Sequence, residues 1–111
     1  MDMFYALSEP KRRSIIEMLA GQGQLSASAI ADQFQISRAA ISQHLKVLRE
    51  AKLVLMEKRA QQRIYRLNPE AVQELEKWAK QTTELWNTRF ERLDEVLKAE
   101  MSKTKGVGDG R

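Results

Sequence analysis

Cysteine is absent from this 111-residue chain, and histidine occurs once. Without cysteine there can be no disulfide, no thiolate ligand for a metal and no cysteine nucleophile. One histidine cannot supply the several ligands that a histidine-based zinc site needs within a subunit, so we expect no metal and no cofactor. The chain also lacks a glycine-rich phosphate loop and a nucleophile placed beside its histidine, which argues against an enzyme.

Long apolar stretches are also missing. No run approaches the roughly 20 residues of a membrane helix, and residues 1–8 lack the basic start and apolar core of a signal peptide. Hydrophobic residues make up 42% of the chain and charged residues 31%, as in globular domains. We therefore expect a single cytoplasmic domain over residues 1–100 with no membrane partner. Residues 101–111, rich in Gly and Lys, predict a disordered tail.

Positive charge is concentrated in one short segment. The net charge is only +4, but residues 52–66 hold five basic residues and one acidic residue, an excess equal to that of the whole chain. A compact basic patch is what a polyanion such as nucleic acid binds. The alternative is a solvated hairpin whose charge only keeps the protein soluble.

Three short helices precede the basic segment. The stretch "SEPKRRSIIEML" predicts a helix with Ser8 as N-cap and Pro10 in its first turn, and a second helix begins near Ser26. Ser37 can cap a third helix that ends near Ala51 and carries an apolar stripe on one side. With a tight turn between the last two helices, the pattern is typical of a helix-turn-helix.

After the third helix the period of the apolar residues changes from 3.6 to 2. The stretches "LVLMEKR" and "RIYRL" flank the polar "AQQ", which predicts a β-hairpin with its tip near residues 60–62. A hairpin that follows a helix-turn-helix is a wing, so the predicted fold is mainly α with a small β-hairpin, a winged helix-turn-helix. Asn68 and Pro69 then start a helix that can run thirty residues.

The last helix carries an apolar stripe that is too long for a domain of this size to cover. At 1.5 Å per residue it reaches about 45 Å, against a domain radius of about 13 Å. The simplest partner is a second copy, which predicts a homodimer through the N-terminal and long C-terminal helices. The alternative is a helix that folds back on its own domain. The predicted dimer contacts are Met3, Phe4, Leu7, Val72, Leu75, Ala79, Thr82, Trp86, Phe90, Leu93 and Leu97.

The helix over residues 37–51 places donor-rich side chains opposite its buried stripe. Gln can bond bidentately to adenine, Arg and Lys donate to guanine, and Ala lets the backbone approach thymine methyl groups. Such a helix enters the major groove by its N-terminal residues, and a basic hairpin beside it can reach the DNA backbone or minor groove. The predicted contacts with double-stranded DNA are Ser37, Arg38, Ala39, Ala40, Ser42, Gln43, His44, Lys46, Lys58, Arg59, Gln61, Gln62 and Arg63. For His44, at the edge of the stripe, a packed histidine is an equal alternative, while Arg49 and Glu50 are expected to pair in solvent or with the hairpin.

Together these segments resemble the ArsR/SmtB family of bacterial dimeric winged-helix repressors. The resemblance covers about residues 6–78, from "ALSEPKRRSIIEMLA" to "EKRAQQRIYRLNPEAVQELEKW", and is most specific in "ISRAAISQHLKVLREAKLV" followed by a wing. It implies a homodimer that binds an imperfect palindrome in a promoter, with the helix over residues 37–51 in the major groove. The remaining "TTELWNTRFERLDEVLKAE" is similar to one subgroup that senses no metal.

The chain departs from the family at the positions that bind metals. Ser26 and Ser28 stand where related sensors carry cysteines, and hydroxyls are poor ligands for soft metals. The last helix has no histidine for the second family site. The resemblance therefore leaves the effector open between a small molecule and a protein, and a rival function is control by a protein partner or protein interaction alone. Gln35 stands where relatives usually carry Gly, so a left-handed conformation there would cost about 1–2 kcal/mol.

Overall fold

The computed structural model describes residues 2–108, with the side chains of residues 2–101. The chain divides into two compact units, Met1–Gln73 and Glu74–Arg111. The elements are α1 (Met3–Ala6), α2 (Pro10–Gln22), β1 (Gln24–Ser26), α3 (Ala27–Asp32), α4 (Arg38–Glu50), β2 (Val54–Arg59), β3 (Gln62–Leu67) and α5 (Pro69–Gly108). This order of elements confirms the predicted winged helix-turn-helix.

The helix α4 begins where the sequence predicts. Ser37 is its N-cap, and the Oγ atom accepts a hydrogen bond from the amide of Ala40 at 3.1 Å. Ile41, Leu45 and Leu48 recur every three or four residues and are at most 2% exposed. Burial of this stripe in the core of the first unit holds α4 in place and leaves its opposite face to solvent.

The end of α4 forms a Schellman motif around Lys52. The amide of Lys52 donates to the carbonyl of Arg49 at 2.9 Å, and the amide of Leu53 donates to that of Leu48 at 3.0 Å. Lys52 has a φ of +64°, the left-handed conformation for which helix ends usually use glycine. Lys52 is therefore held in a strained backbone conformation where the chain turns from α4 into the wing.

No left-handed residue lies in the turn between α3 and α4. Across the described residues, positive φ values occur at Gly23, Lys52 and Ala60. The strain considered for Gln35 is therefore absent, because its backbone does not take the conformation that would cause it. Gly23 has the positive φ expected at the end of α2, and its amide closes that helix on the carbonyl of Leu19 at 2.8 Å.

The wing belongs to a three-stranded antiparallel sheet in the order β1-β3-β2. Arg59 pairs with Gln62, so the hairpin tip is the two-residue loop at Ala60 and Gln61, as predicted. The third strand, β1, was not predicted. It places Leu25 opposite Tyr65 of β3, and a strand of three residues carries too little pattern of its own to be recognised.

The helix α2 starts one residue later than predicted. Glu9, and not Ser8, is its N-cap, and the Glu9 Oε2 atom accepts from the amide of Lys11 at 2.9 Å. The Ser8 hydroxyl instead donates to the carbonyl of Tyr5 at 2.6 Å. Ser8 is thus used at the end of α1, which leaves the neighbouring carboxylate to cap α2.

Asn68 fixes the point at which the wing ends and α5 begins. Its amide donates to the carbonyl of Leu53 at 2.9 Å, and its Nδ2 atom donates to that of Lys52 at 2.8 Å. The Oδ1 atom of the same side chain accepts from the amide of Glu70 at 3.2 Å, which makes Asn68 the N-cap of α5 as predicted. One side chain therefore closes the base of the hairpin and starts the last helix.

Most of the second unit is one helix with a large exposed apolar surface. Exposed fractions along α5 are 63% for Trp86, 60% for Phe90, 55% for Leu93 and 52% for Leu97, and the Trp86 and Phe90 ring centroids are 6.4 Å apart. Of the other predicted dimer contacts, Val72, Ala79 and Thr82 are exposed and Leu75 is half-buried. In α1, Phe4 is exposed, whereas Met3 and Leu7 pack against the core of the first unit.

The last helix is longer than the thirty residues predicted. It is described as far as residue 108, and residues 109–111 lie outside the described residues. The disordered tail predicted for residues 101–111 stays a prediction. Within residues 2–108, no helix combines the length and the apolar character needed to cross a bilayer.

Candidate nucleic-acid interface

The outer face of α4 and strand β3 of the wing border one concave surface of about 790 Å³. Polar and charged side chains dominate its lining, with three cations and one carboxylate. The lining residues are Ala39, Ser42, Gln43, Lys46, Arg49, Glu50, Arg63 and Tyr65. Four predicted contacts of the helix, Ala39, Ser42, Gln43 and Lys46, thus share one surface with Arg63 of the wing.

Strand pairing decides which wing residues face α4. Residues directly opposite in an antiparallel pair lie on the same face of the sheet, and Lys58 is opposite Arg63. The pair Met56 and Tyr65 lies on that same face, and the two side chains are half-buried and buried. Lys58 and Arg63 therefore lie on the sheet face that packs against the core, nearer the tip than Met56 and Tyr65, and on the side of the sheet where α4 lies.

The hydrogen-bond donors on this surface are available to a ligand. Gln43, Lys46 and Arg63 are exposed, and none has a side-chain hydrogen bond or ion pair with any residue in the described part of the chain. An amide, an ammonium and a guanidinium together offer donors suited to base edges and phosphate oxygens. The surface can therefore bind a polyanion without first breaking internal contacts.

Arg59 differs from the other predicted wing contacts because it is held by its neighbours. Its Nε atom donates to Glu57 Oε2 at 3.1 Å, and its Nη2 atom donates to Gln24 Oε1 at 2.9 Å. The hydrogen bond and charge of Glu57 raise the pKa of Arg59, and the same hydrogen bond and charge of Arg59 lower the pKa of the Glu57 carboxyl. Arg59 thus connects β2 to β1 across the outer face of the sheet. Gln62, its pairing partner, lies on the same face, and Gln61 is exposed at the tip of the hairpin.

The N-terminal end of α4 is connected to α3. Arg38 donates from Nη1 to Ser28 Oγ at 3.2 Å, and its Nη2 atom lies 3.8 Å from Asp32 Oδ1. Its side chain is still 71% exposed, so it remains within reach of a ligand. Ser26 caps α3 by accepting from the amide of Ala29 at 3.1 Å, so both serines at the family metal positions serve structural hydrogen bonds.

His44 is turned away from this surface. Its side chain is only 18% exposed, its Nδ1 atom lies 3.4 Å from Arg12 Nη1, and its Nε2 atom lies 3.9 Å from Glu9 Oε2. The structure thus gives His44 the environment of the packed alternative, with side chains of α2 and its cap as neighbours, and its contact with DNA stays a prediction. Ala40 is half-buried, and Ser37 is exposed at the cap.

Three lining residues were not among the predicted contacts. Tyr65 lies two residues after Arg63, and the period of a strand could have placed both on one face. Arg49 lies three residues after Lys46 on a helix, and Glu50 lies seven residues after Gln43, so both share the exposed face. They line the concavity opposite the hairpin, but within the described residues neither forms an ion pair.

Comparisons with known proteins place the fold among bacterial regulators. A family model described as a helix-turn-helix domain matches residues 7–57. The chain is 36% identical over 77 residues to the transcriptional repressor SdpR of Bacillus subtilis (strain 168), covering 69% of this chain and 84% of the relative.

Solved structures give the same result. An ArsR-like transcriptional regulator from Rhodococcus sp. RHA1 superposes with a TM-score of 0.74 at 28% identity, covering 85% of this chain and 88% of that one. A protein described as a possible transcriptional regulator for arsenical resistance has a TM-score of 0.68 at 36% identity, with 74% and 84% covered.

Proposed function

The chain belongs to the ArsR family of helix-turn-helix transcriptional regulators, and we propose that it represses transcription as a homodimer bound to a palindromic operator. The proposal rests on the concave surface that Gln43 and Lys46 of α4 share with Arg63 of the wing. The name of the relative SdpR supports repression as the direction of regulation.

In this proposal α4 reads bases in the major groove. Gln43 is exposed near the middle of the reading face and can bond bidentately to adenine, while Lys46 one turn later can donate to guanine. Ala39 and Ser42 are small, so they let the N-terminal half of α4 approach the base edges. Sequence preference is therefore assigned chiefly to Gln43 and Lys46.

The wing supplies affinity in this proposal. Lys58 and Arg63 lie on one face of the hairpin and can each neutralise a backbone phosphate. Every neutralised phosphate releases condensed counterions, so binding weakens as salt concentration rises. These two residues therefore strengthen binding to all DNA sequences alike.

The apolar face of α5 supports the homodimer. Its residues repeat at intervals of four, three and four, so that Leu75, Trp86 and Leu97 are each eleven residues apart. At 100° per residue the repeat stays within a sector about 100° wide over six turns, which forms one nearly straight stripe. An exposed stripe of this kind indicates a protein partner, and a second copy brings an identical, self-complementary stripe.

Two subunits would then present two copies of α4 to successive major grooves, about 34 Å apart on one face of the duplex. A dimer bound in this way within a promoter excludes RNA polymerase from the same DNA. Because the target is chromosomal DNA, we place the protein in the cytoplasm of a bacterium.

The test is a selection of binding sites from random-sequence DNA with the purified protein, combined with sedimentation of the free protein. We expect an inverted repeat whose half-site spacing matches one helical turn, and a dimer at micromolar concentration. A protein that enriches no sequence at low salt would refute DNA reading, and a protein that sediments as a monomer would refute the homodimer.

A further inference from the structure

Arg12 of α2 is a buried cation without a carboxylate partner. It is 8% exposed, the one charged residue classed as buried among those described, and it forms no ion pair with them. Its Nε atom donates to the carbonyl of Ala6 at 2.7 Å, and its Nη2 atom donates to that of Tyr5 at 3.3 Å. Burying a charge is unfavourable unless its hydrogen bonds are satisfied, so the end of α1 determines where the guanidinium lies.

The remaining arm of the guanidinium reaches α4. The Arg12 Nη1 atom lies 3.4 Å from Nδ1 of His44. Because a guanidinium can only donate, this contact is a hydrogen bond in the tautomer in which Nδ1 carries the lone pair and Nε2 the proton. The Nε2 atom faces Glu9 Oε2 at 3.9 Å. A continuous set of polar contacts therefore runs from the carbonyls of α1, through Arg12 and His44, to the residue that caps α2.

This contact lies directly behind the reading face. His44 follows Gln43 in α4 and precedes Lys46 by two residues. The rest of the buried side of α4 is apolar, and apolar contacts have no preferred direction, whereas a hydrogen bond has a preferred length and angle. The hydrogen bond from Arg12 is therefore the contact best suited to fix the rotation of α4 about its own axis.

We propose that Arg12 is a positioning residue for DNA recognition that acts through His44 and sets the direction in which Gln43 enters the major groove. The inference rests on the proposed function of α4 as the reading helix. It also makes DNA recognition depend on the position of α1, because the carbonyls of Tyr5 and Ala6 hold the same guanidinium.

Two substitutions of His44 separate positioning from simple packing. His44→Asn keeps an acceptor near the place of Nδ1, whereas His44→Leu fills similar space without one. Both remove Nε2, so both lose the contact with Glu9 and any direct contact of the ring with DNA. The probes are a duplex carrying the sequence that the wild-type protein selects and a random duplex of equal length.

We expect His44→Asn to bind the selected duplex within about twofold of the wild type, and His44→Leu to lose about tenfold, since a dimer loses the hydrogen bond twice. On random DNA the two variants should differ by less than about twofold, because phosphate contacts tolerate small rotations of α4. Equal affinity of both variants for the selected duplex would overturn the inference. Circular dichroism at the assay temperature establishes that each variant is folded.

Arg12→Lys completes a double-mutant cycle. A single ammonium can serve the carbonyls of α1 but does not reproduce the fork that also reaches His44. We expect the lysine variant to match His44→Leu on the selected duplex, and to add nothing further in the His44→Leu background. Additive losses would overturn the inference, and if the lysine variant does not fold, the two His44 variants decide. If the wild-type protein selects no sequence, the proposed function itself is refuted. If the wild-type protein selects a sequence but the variants bind it equally well, only the inference about Arg12 is refuted.

Discussion

Lys58 in β2 lies directly opposite Arg63 in β3, so two cations occupy the same face of the wing. Like charges facing each other across a strand pair destabilise a hairpin. The described residues include no carboxylate bound to either cation. An arrangement that is unfavourable in the free protein becomes favourable beside a polyanion, which is why we assign these two residues to the DNA backbone.

Arg63→Ala should weaken binding to operator and random DNA by the same factor. The variant loses about one phosphate contact per subunit, which lowers the slope of log affinity against log salt by about 1 for each subunit. Fluorescence anisotropy over a range of salt concentrations measures both quantities. Arg59→Ala is the matched control, and its effect should be smaller because Glu57 and Gln24 already hold that guanidinium. Equal losses for the two variants would contradict the assignment.

Gln43→Ala should reduce sequence discrimination. Loss of a bidentate contact to a base costs about 1–3 kcal/mol per half-site on the preferred sequence and little on random DNA. Competition between operator and random duplexes gives the ratio directly. Gln73→Ala, at an exposed position of α5, makes the same chemical change away from the reading face and should leave the ratio unchanged. A uniform loss on both duplexes would show that Gln43 reads no base.

Glu57→Gln should strengthen binding to all DNA sequences. The substitution replaces the carboxylate that pairs with Arg59 by a neutral amide, and so weakens the contact that keeps this guanidinium from DNA, although Gln24 still accepts from it. The salt slope should become steeper by up to about 1 per subunit. Glu17→Gln, at an exposed position of α2, removes the same charge without releasing an arginine and serves as the control. An unchanged salt slope for Glu57→Gln would mean that Arg59 does not reach DNA even when released.

Phe90→Glu should dissociate the proposed dimer. A carboxylate within the α5 stripe would be desolvated in each of two symmetric positions, which should weaken dimerisation by at least about a hundredfold. Sedimentation velocity at micromolar concentration distinguishes monomer from dimer. Thr88→Glu adds the same charge about 160° around the helix from Phe90 and should remain dimeric. Dimers from both variants would exclude the stripe as the interface.

Lys52→Gly should stabilise the protein. The left-handed conformation at this position costs a lysine about 1–2 kcal/mol, while glycine adopts it freely but gains entropy in the unfolded chain. The net gain should be about 0.5–1 kcal/mol in the free energy of unfolding by urea. Lys52→Ala removes the same charge and keeps the strain, so it should show no gain. If alanine stabilised as much as glycine, loss of charge and not relief of strain would be the cause.

Sequence patterns predicted those parts of the fold that short-range interactions determine. Ser37 caps α4, the stripe from Ile41 to Leu48 is buried, and the hairpin turns at Ala60, because caps, helical periodicity and strand alternation all act within a few residues. Local patterns could not reveal β1. Its three residues become a strand only because Leu25 meets Tyr65, forty positions later.

The candidate site was predicted only in part, because some of its side chains are placed by residues far away in the sequence. The exposed donors of α4 follow from the helical period, so the exposure of Gln43 and Lys46 was predicted correctly. His44 lies at the border of the stripe, where periodicity assigns it equally to the core and to the surface. Its environment is decided by Arg12, thirty-two residues earlier in the chain, and no pattern around His44 indicates that neighbour. The hydrogen bond from Arg59 to Gln24 was likewise not predicted, because Gln24 lies in the unpredicted strand.

The hydrogen bonds of Asn68 have a consequence for how such a protein can diversify. They join the start of α5 to Lys52 and Leu53, which lie shortly after the end of α4, so the intervening hairpin is closed at its base. Residues at the tip of the hairpin, beyond the pair Met56 and Tyr65, can therefore be inserted, deleted or exchanged without displacing the ends of either helix. The tip is thus an interchangeable module, and grafting one of different length or charge there should change affinity for DNA of any sequence while the rest of the scaffold stays intact.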